Sequence, residues 1–496
     1  MKRIFAMVLC CVLLVTGLIV PAKADMYDQL REDMKQSFYS DEMLDVSQYQ
    51  MTKEELQTIY DELYHSGELP WYADEDCSYV FGQNQYVAKF RPKVLNPKTY
   101  DRDLYEIKIA ELMARTCLEG MDDWQIILSV HDYITSHVSY DESTKKNTGY
   151  DALVHGTAAC YGYAQLFMDV MNRKGIPCKI AVCWDTGDGV GHAWNVVKLD
   201  GSWYHVDATW DDPVPDIYGW SSHTYFLRTD AQFRDPAWER GFDWEETEKC
   251  TDETYAKDRL WEDVHNTLAF LDKDTLILRT EKKTKNYIYA VDISSGKKTE
   301  LVSFKRKVLN LGKGTYLYPT AGVCVWEGRI YYNTETKVYS ILPDGTDKRE
   351  EASYNAKKNR KYIYSCFVDA GVIHLELVNH GLNKFTDLDI PMEDYVPHEH
   401  SFTETIDFAS CTEEGRSYLS CPCGLIYKDK TIDKTSHLML TEVVTPATQE
   451  AAGMARHYCA NCDYEEQEVL EKLPMAAEEP EEEPSFWESL FGWLWA

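Results

Sequence analysis

Residues 156–163 read GTAACYGY, and the segment that they begin decides the fold of the chain. Apolar and aromatic side chains follow Cys160 at the spacing of one helix face: Tyr163, Leu166, Phe167, Val170 and Met171. This spacing predicts a buried helix that begins at Cys160. Gly175 and Pro177 predict its end, because glycine adopts the left-handed conformation after a helix and proline cannot continue the turn.

A cysteine at the first position of a helix has a chemical consequence. The unpaired N–H groups and the positive end of the helix dipole stabilise a thiolate there. They lower a thiol pKa that is about 8.5 in a free cysteine, so that more of the side chain is ionised near neutral pH. Cys160 is therefore a candidate nucleophile.

The chain beyond residue 190 predicts an antiparallel hairpin, because Asp-Gly at 200–201 is a strong signal for a two-residue turn. In that register Leu199 pairs with Ser202. Counting back along both strands places His192 and Asp207 on one face as diagonal neighbours, about 7–8 Å apart. A slip of one residue would put them on opposite faces. The turn therefore predicts that a carboxylate orients this imidazole.

Cys160, His192 and Asp207 supply the nucleophile, the general base and the orienting acid of a cysteine-based catalytic site. Each residue alone has a more common structural role, since a single cysteine is usually a small buried hydrophobe. The helix start and the shared hairpin face together favour the catalytic interpretation. Two alternative bases are His155, which is close to Cys160 in sequence, and His205, which shares the face of Asp207.

The segment 124–212 resembles the transglutaminase-like superfamily, whose site is related to that of papain-type cysteine proteases. The motifs that carry the resemblance are HDYI at 131–134, VSYD at 138–141, CYGY at 160–163, GIPC at 175–178, GHAWN at 191–195 and DATWDD at 207–212. The resemblance implies an α+β fold in which the cysteine-bearing helix packs against an antiparallel sheet. It also implies that Cys160 is the nucleophile, His192 the base and Asp207 the orienting acid.

The same resemblance implies that the Cys160 thiolate attacks an amide carbonyl and forms a thioester through an oxyanion, with the Cys160 backbone N–H as one oxyanion donor. Water then gives a peptidase or amidase, whereas an amine gives an acyltransferase, and the motifs favour neither. The expected substrate is a protein or a cell-wall peptide, and catalysis is expected to need no cofactor. A noncatalytic cell-surface adhesion or binding protein that keeps this fold is the alternative.

The amino-terminal residues 1–24 predict a signal peptide. Lys2 and Arg3 precede an apolar run over 4–20, and Ala-Lys-Ala at 22–24 has the form cut by signal peptidase. We therefore expect a secreted or cell-surface protein, with an uncleaved amino-terminal anchor as the alternative. The formal net charge is −32, from 51 Lys+Arg and 83 Asp+Glu, so nucleic acid is excluded as an expected partner.

Changes in composition predict further regions. Residues 25–120 predict a helical region, which includes a capping box at Thr52 and Glu55, and residues 121–255 predict the catalytic domain. In that domain His131 and His137 lie on a predicted helix and are interpreted as structural. Residues 260–395 predict an all-β module, either propeller-like or a sandwich. Its aromatic motifs are YIY at 287–289, IYY at 330–332 and YIY at 362–364.

Residues 398–474 predict two cysteine-containing repeats, because the sequence from Thr403 to Cys423 recurs from Thr441 to Cys462. One structural zinc is the expected ion, and its expected ligands are Cys421, Cys423, Cys459 and Cys462. Candidate additional ligands are His398, His400, His437 and His457. Disulfides are the alternative in an exported protein. Only 13 of the 15 cysteines follow the signal peptide, and this odd number requires a free or intermolecular thiol.

The last segment, 475–496, predicts an acidic linker followed by an aromatic tail. Apolar and aromatic side chains are concentrated between Phe486 and Trp495, a stretch too short to cross a bilayer. Tryptophan and phenylalanine favour the membrane interface. We expect this tail to contact a membrane interface or a partner protein, or to fold back onto a domain.

Overall fold

A computed structural model describes the chain at residues 23–183, 191–233, 248–257, 259–262, 264–282, 284–306, 309–312, 315–317, 322–359, 361–379, 385–393, 395–396 and 398–474. Most of the predicted signal peptide and all of the predicted tail lie outside these residues. Within them, no helix has the length and apolar character of a membrane span. The chain divides into two compact units, 1–399 and 400–496.

The amino-terminal region packs two helices on a small antiparallel sheet. The elements are α1 (Lys23–Gln36), α2 (Lys53–His65), β1 (Leu44–Asp45), β2 (Ala73–Phe81) and β3 (Val87–Val94), with 3₁₀ helices at Ser37–Tyr39, Ser47–Tyr49 and Gln83–Gln85. The predicted capping box of α2 is confirmed, because the Glu55 N–H donates to Thr52 Oγ1 and the Thr52 N–H donates to Glu55 Oε2. The apolar face of α2 is buried in the core of this region.

The next region has the predicted α+β arrangement. Its helices are α3 (Arg102–Thr116), α4 (Asp123–His137), α5 (Gly149–His155), α6 (Cys160–Arg173), α7 (Ala208–Asp211) and α8 (Asp230–Phe233). Its strands are β4 (Ser139–Tyr140), β5 (Thr157–Ala158), β6 (Cys178–Cys183), β7 (His192–Leu199), β8 (Ser202–Val206) and β9 (Phe226–Arg228). The strands β6 to β9 form an antiparallel sheet in chain order, and β4 pairs with β5 in parallel.

Helix α6 occupies the centre of this region. Its apolar face is the predicted one, and Tyr163, Leu166, Phe167, Val170 and Met171 are all buried. These side chains share one core with β6, β7 and β8. Because burying each large apolar side chain contributes about 1.5–3 kcal/mol, this face fixes the position of the helix and of Cys160 at its start.

The strand-rich part of the first unit consists of successive antiparallel sheets. The strands are β10 (Ala269–Asp272), β11 (Thr275–Lys282), β12 (Lys285–Asp292), β13 (Lys298–Lys305), β14 (Leu309–Gly312), β15 (Thr315–Leu317), β16 (Val323–Trp326), β17 (Arg329–Asn333), β18 (Lys337–Ile341), β19 (Arg349–Ser353), β20 (Lys361–Asp369), β21 (Val372–Asn379) and β22 (Phe385–Pro391), with α9 (Ala356–Asn359) before β20. They form sheets β10–β13, β14–β15, β16–β19 and β20–β22, each in chain order.

The described residues of the second unit, 400–474, form two three-stranded antiparallel sheets. One consists of β23 (Thr403–Asp407), β24 (Gly415–Ser420) and β25 (Ile426–Ile432), and the other of β26 (Met439–Thr445), β27 (Gly453–Cys459) and β28 (Glu465–Leu470). The second and third strands are antiparallel neighbours in both sheets. Each predicted repeat thus contains one sheet.

Candidate active site

The thiol of Cys160 is placed by a close contact at the start of α6. The residue before it, Ala159, has an extended backbone, and Cys160 is the first helical residue. A Cβ atom added to Gly162 would lie 2.6 Å from Ala158 Cβ and 2.7 Å from the Thr148 carbonyl oxygen. Glycine is therefore needed in the CYGY motif, because only its missing side chain lets the helix start approach these atoms.

The hairpin adopts the register that its turn predicts. The residues at 200–201 have φ values of +50° and +85°, as a two-residue turn of this type requires. Leu199 pairs with Ser202, and the pairing continues along both strands. His192 at the start of β7 and Asp207 directly after β8 consequently meet on one face.

Asp207 holds the His192 ring through a buried hydrogen bond. The distance between His192 Nε2 and Asp207 Oδ2 is 2.8 Å, and both side chains are buried. The other oxygen, Asp207 Oδ1, accepts the Trp210 N–H at 3.1 Å and so caps α7. The Trp210 ring lies 5.0 Å from the imidazole. Both carboxylate oxygens are thus fixed, and Nδ1 is the ring nitrogen that can take the thiol proton.

Electrostatic interactions favour the thiolate form of Cys160 and the imidazolium form of His192. Burial raises the thiol pKa, but the hydrogen bonds of Cys160 with the His192 side chain and the Ala193 N–H outweigh it, and the net pKa is lowered. Burial lowers the pKa of His192, yet the charge and hydrogen bond of Asp207 raise it to about 9. A lowered thiol pKa beside a raised imidazole pKa stabilises a thiolate–imidazolium pair near neutral pH.

The pair opens into a cleft of about 360 Å³. The cleft is lined by Tyr64, His65, Glu75, Lys145, Asn147, Thr148, Cys160, Tyr161, Val182, Cys183, Gly191, His192 and Ala193. One wall comes from the amino-terminal region, where the Tyr161 hydroxyl donates to the Tyr64 carbonyl at 2.7 Å and the two rings stack. This region therefore shapes the entrance to the thiol.

The two alternative bases have other partners. His155 Nδ1 lies 2.9 Å from Asp151 Oδ1 on α5. The Nε2 atom of His205 is 2.9 Å from Asp230 Oδ1, and its Nδ1 accepts the Trp194 Nε1–H at 3.0 Å. The structure therefore brings His192, and neither of these two residues, to the Cys160 thiol.

Behind the site lies a buried network that supports the structural interpretation of His131. His131 Nδ1 is 2.9 Å from Asp132 Oδ1, and its Nε2 is 3.2 Å from Asp211 Oδ2 on α7. Asp132 Oδ1 also lies 2.9 Å from His223 Nε2. Burial lowers the pKa of His131, but its hydrogen bonds with Asp132 and Asp211 raise it to about 9. The imidazolium of His131 is thus stabilised between two carboxylates.

This network reaches Asp207 through the backbone of Tyr225. The Tyr225 N–H donates to Asp211 Oδ1 at 3.0 Å, and the Tyr225 carbonyl accepts the Asp207 N–H at 3.1 Å. His131 and Asp211 are therefore positioning residues for the end of β8. The motifs HDYI and DATWDD contained them, but the sequence did not show that Asp211 pairs with His131.

The predicted zinc ligands do not form one set, and this corrects the expected site. Cys421 and Cys423 lie with two of the candidate additional ligands, His398 and His400. Cys459 and Cys462 lie with another candidate, His437, and with Cys411, which the sequence did not indicate. The spacing of the repeats grouped Cys421 and Cys423 with Cys459 and Cys462. In the structure the two pairs belong to different clusters. None of the 13 cysteines in the described part of the chain forms a disulfide.

Residues 111–208 match the family model of the transglutaminase-like superfamily. The chain therefore carries a transglutaminase-like domain, as the sequence motifs indicate. It is 27% identical over 122 residues to the kyphoscoliosis peptidase of Homo sapiens and equally so to that of Mus musculus, covering 21% of this chain and 18% of each relative. The chain thus spans about a fifth of the length of these curated relatives.

The domain is also similar to solved structures. One is a crystal structure of a TGase, which is 14% identical, with coverage of 27% of this chain and 44% of that chain and a TM-score of 0.20.

Proposed function

We propose that this protein is an exported cysteine-nucleophile enzyme that attacks amide bonds of protein or cell-wall peptide through a thioester. The observation that carries the proposal is the arrangement of Cys160 with His192, whose ring is held by Asp207 at 2.8 Å. The lowered pKa of Cys160 and the raised pKa of His192 support it. The signal sequence supports export, and the family match supports the reaction class.

Cys160, His192 and Asp207 each have a separate role in the proposed reaction. His192 takes the thiol proton, and Cys160 Sγ bonds to the amide carbonyl carbon while the carbonyl electrons move to oxygen. The Cys160 backbone N–H at the start of α6 stabilises that oxyanion. When the oxyanion collapses, the C–N bond breaks and His192 returns the proton to the leaving amine. Asp207 stabilises the imidazolium between these two proton transfers.

The thioester is then released by water or by an amine. Water bonds to the acyl carbon and gives up one proton to His192, and the C–S bond then breaks with its electron pair on sulfur, which restores the Cys160 thiolate. The product is a carboxylic acid, which releases its remaining proton to solvent and becomes a carboxylate. An amine follows the same steps and yields a new amide. The cleft includes Glu75 and Lys145, which give it both charge signs.

The first test is the pH dependence of iodoacetamide labelling at Cys160, mapped by mass spectrometry. We expect labelling well below the free-thiol pKa of about 8.5, and we expect His192→Ala to abolish this reactivity. Cys77 and Cys117 are internal references, because burial raises the pKa of both thiols. His155→Ala is the matched histidine variant and should label like the wild type.

The substrate can be identified with the same purified protein. Glutamine-containing peptides and cell-wall peptides, each with and without an added primary amine, separate hydrolysis from acyl transfer by product mass. Cys160 labelling that follows an ordinary thiol in both wild type and His192→Ala would contradict the enzymatic proposal. That outcome would favour a noncatalytic binding protein.

A further inference from the structure

Four metal-binding side chains converge in the second unit, and the sequence spacing did not group them. They are Cys411, His437, Cys459 and Cys462, and their ligand atoms all lie within 4.8 Å of one another. Cys411 Sγ is 3.8 Å from Cys459 Sγ, and Cys462 Sγ is 3.3 Å from His437 Nδ1. Cys411 and Cys459 are buried, and Cys462 is half-buried.

These distances fit a tetrahedral ion better than a disulfide. Two sulfurs that each lie about 2.3 Å from a tetrahedral zinc are about 3.8 Å apart. A disulfide needs about 2.05 Å between its sulfurs and leaves the imidazole and the third thiol unused. Three thiolates and one imidazole are the Cys₃His set of structural zinc sites.

The backbone around Cys459 has a turn that supports a thiolate. The Asn461 N–H donates to Cys459 Sγ at 3.4 Å, and the Cys459 N–H donates to the Tyr464 carbonyl at 2.9 Å. An N–H that donates to a ligand sulfur stabilises its negative charge and fixes its direction. The Cys459–Cys462 turn thus stabilises Cys459 as a thiolate ligand.

The two sheets of the second unit bury few apolar side chains within residues 400–474. Among the described residues 400–474, the buried apolar side chains are Cys411, Cys421, Leu425, Ala455 and Cys459. Large apolar side chains such as Phe408 and Val469 are 87% and 69% exposed. Small domains with so little buried surface are usually stabilised by a metal or by disulfides.

Comparison of the two repeats shows why Cys411 matters. The Ser410 N–H donates to the Glu413 carbonyl at 2.8 Å, and the Thr448 N–H donates to the Ala451 carbonyl at 2.9 Å in the second repeat. Cys411 and the residue that follows Thr448 therefore occupy equivalent loop positions.

That residue is Gln449, which is exposed and is not a thiol ligand. The first repeat thus supplies Cys411 to a cluster whose other members follow it in the chain. The second repeat has no cysteine at the equivalent position. The cluster therefore joins two repeats and does not belong to one alone.

We propose that Cys411, His437, Cys459 and Cys462 bind one structural Zn²⁺, which fastens the first repeat to the second. The ion stabilises the unit by adding bonds between two repeats that bury few apolar side chains within residues 400–474. The chemistry at Cys160 does not enter this proposal.

The test is the metal content of the full chain after incubation with Zn²⁺ under reducing conditions and removal of unbound ion. We expect Cys411→Ser to retain about one Zn²⁺ per chain less than the wild type. Gln449→Ala, at the equivalent loop position, is the matched control and should retain the wild-type content. Mass spectrometry should also show that bound Zn²⁺ protects Cys411, Cys459 and Cys462 from alkylation.

A second variant distinguishes loss of the metal ligand from a folding defect in Cys411→Ser. Cys411→His keeps four ligands, so we expect tetrahedral Co²⁺ binding in which this site loses about one third of its sulfur-to-cobalt absorbance. Equal Zn²⁺ content in wild type and Cys411→Ser would overturn the proposal. Disulfides among these three cysteines in the purified protein, without bound Zn²⁺, would overturn it as well. Neither result would affect the labelling of Cys160.

Discussion

The molecule has two sites where cysteine meets histidine, and they differ in what surrounds the sulfur. At Cys160 one thiol faces one imidazole, and the second nitrogen of that ring is held by Asp207 at 2.8 Å. In the second unit three thiols surround His437. A single thiol beside an oriented base favours proton transfer, whereas several thiols around one point favour a metal ion.

The apolar packing around the two sites also differs. Helix α6 belongs to a large apolar core, so the position of Cys160 is fixed without help from a ligand. The second unit buries few apolar side chains among its described residues, and three of them are cysteines. A cysteine whose surroundings are already held by an apolar core is available for chemistry, whereas cysteines in a poorly packed unit are more useful as ligands that stabilise it.

Substitution of one cysteine at each site tests whether the two sites are independent. We expect Cys160→Ala to reduce amide cleavage at least ~1000-fold and to leave bound Zn²⁺ unchanged. We expect Cys462→Ala to lower the Zn²⁺ content and to keep the rate of amide cleavage. Product mass and metal analysis on the same preparations measure both effects. A variant that loses both properties would show that the two sites are not independent.

The role of the Asp207 carboxylate can be tested against a second Asp–His pair, in which Asp230 at the start of α8 contacts His205 on β8. Asp207 lies 2.8 Å from the His192 ring, and Asp230 lies 2.9 Å from the His205 ring. We expect Asp207→Asn to reduce the rate of amide cleavage at least ~100-fold, because asparagine holds the wrong imidazole tautomer. Asp230→Asn should have little effect on that rate. Equal losses would indicate a general defect of the sheet.

The geometry of the candidate site was predictable because its sequence signals are local. The spacing after Cys160 defines one helix face, and the Asp-Gly turn at 200–201 sets the register that joins His192 to Asp207. A turn fixes the pairing of the residues beside it, so short sequence distances sufficed.

The supporting contacts were not predictable, because they join residues far apart in the chain. His131 meets Asp211 across 80 residues, and Cys411 meets Cys459 across 48. Spacing within each repeat emphasised the paired cysteines and missed Cys411, which completes a cluster in the next repeat. The Ala193 N–H that contacts Cys160 is a backbone group and has no signature in the side-chain sequence.

The His131 network gives a stability prediction with a defined pH dependence. His131→Ala leaves two buried carboxylates without their shared partner, and we expect the free energy of unfolding to fall by about 3 kcal/mol. The pKa of His131 is about 9 in the folded protein, above the ordinary value of 6.5. Its contribution is therefore complete below about pH 6.5 and is lost as the pH rises through about 9.

Denaturation of wild type and His131→Ala between pH 6 and 10 measures this difference. The gap between the two proteins should narrow as the pH rises. A gap that is constant with pH would show that His131 acts by packing alone. Zn²⁺ content should be the same in both proteins, because this network lies in the first unit.

The smallest expected effect concerns the two ends of the helix that carries the nucleophile. Gly162→Ala places a Cβ 2.6 Å from Ala158 Cβ, so the start of α6 must shift, at a cost of about 1–3 kcal/mol. Gly175 at the other end has φ of +73° and open space around it, so Gly175→Ala costs about 1 kcal/mol through backbone strain alone.

Both glycine variants lose stability, but only the first moves Cys160 relative to His192. We therefore expect Gly162→Ala to slow iodoacetamide labelling of Cys160 at neutral pH several-fold and Gly175→Ala to leave that rate unchanged. Equal labelling rates would show that the thiol tolerates displacement of the helix start. The pKa of Cys160 would then depend on its hydrogen bonds more than on the position of α6, because a mobile thiol can still follow the imidazole.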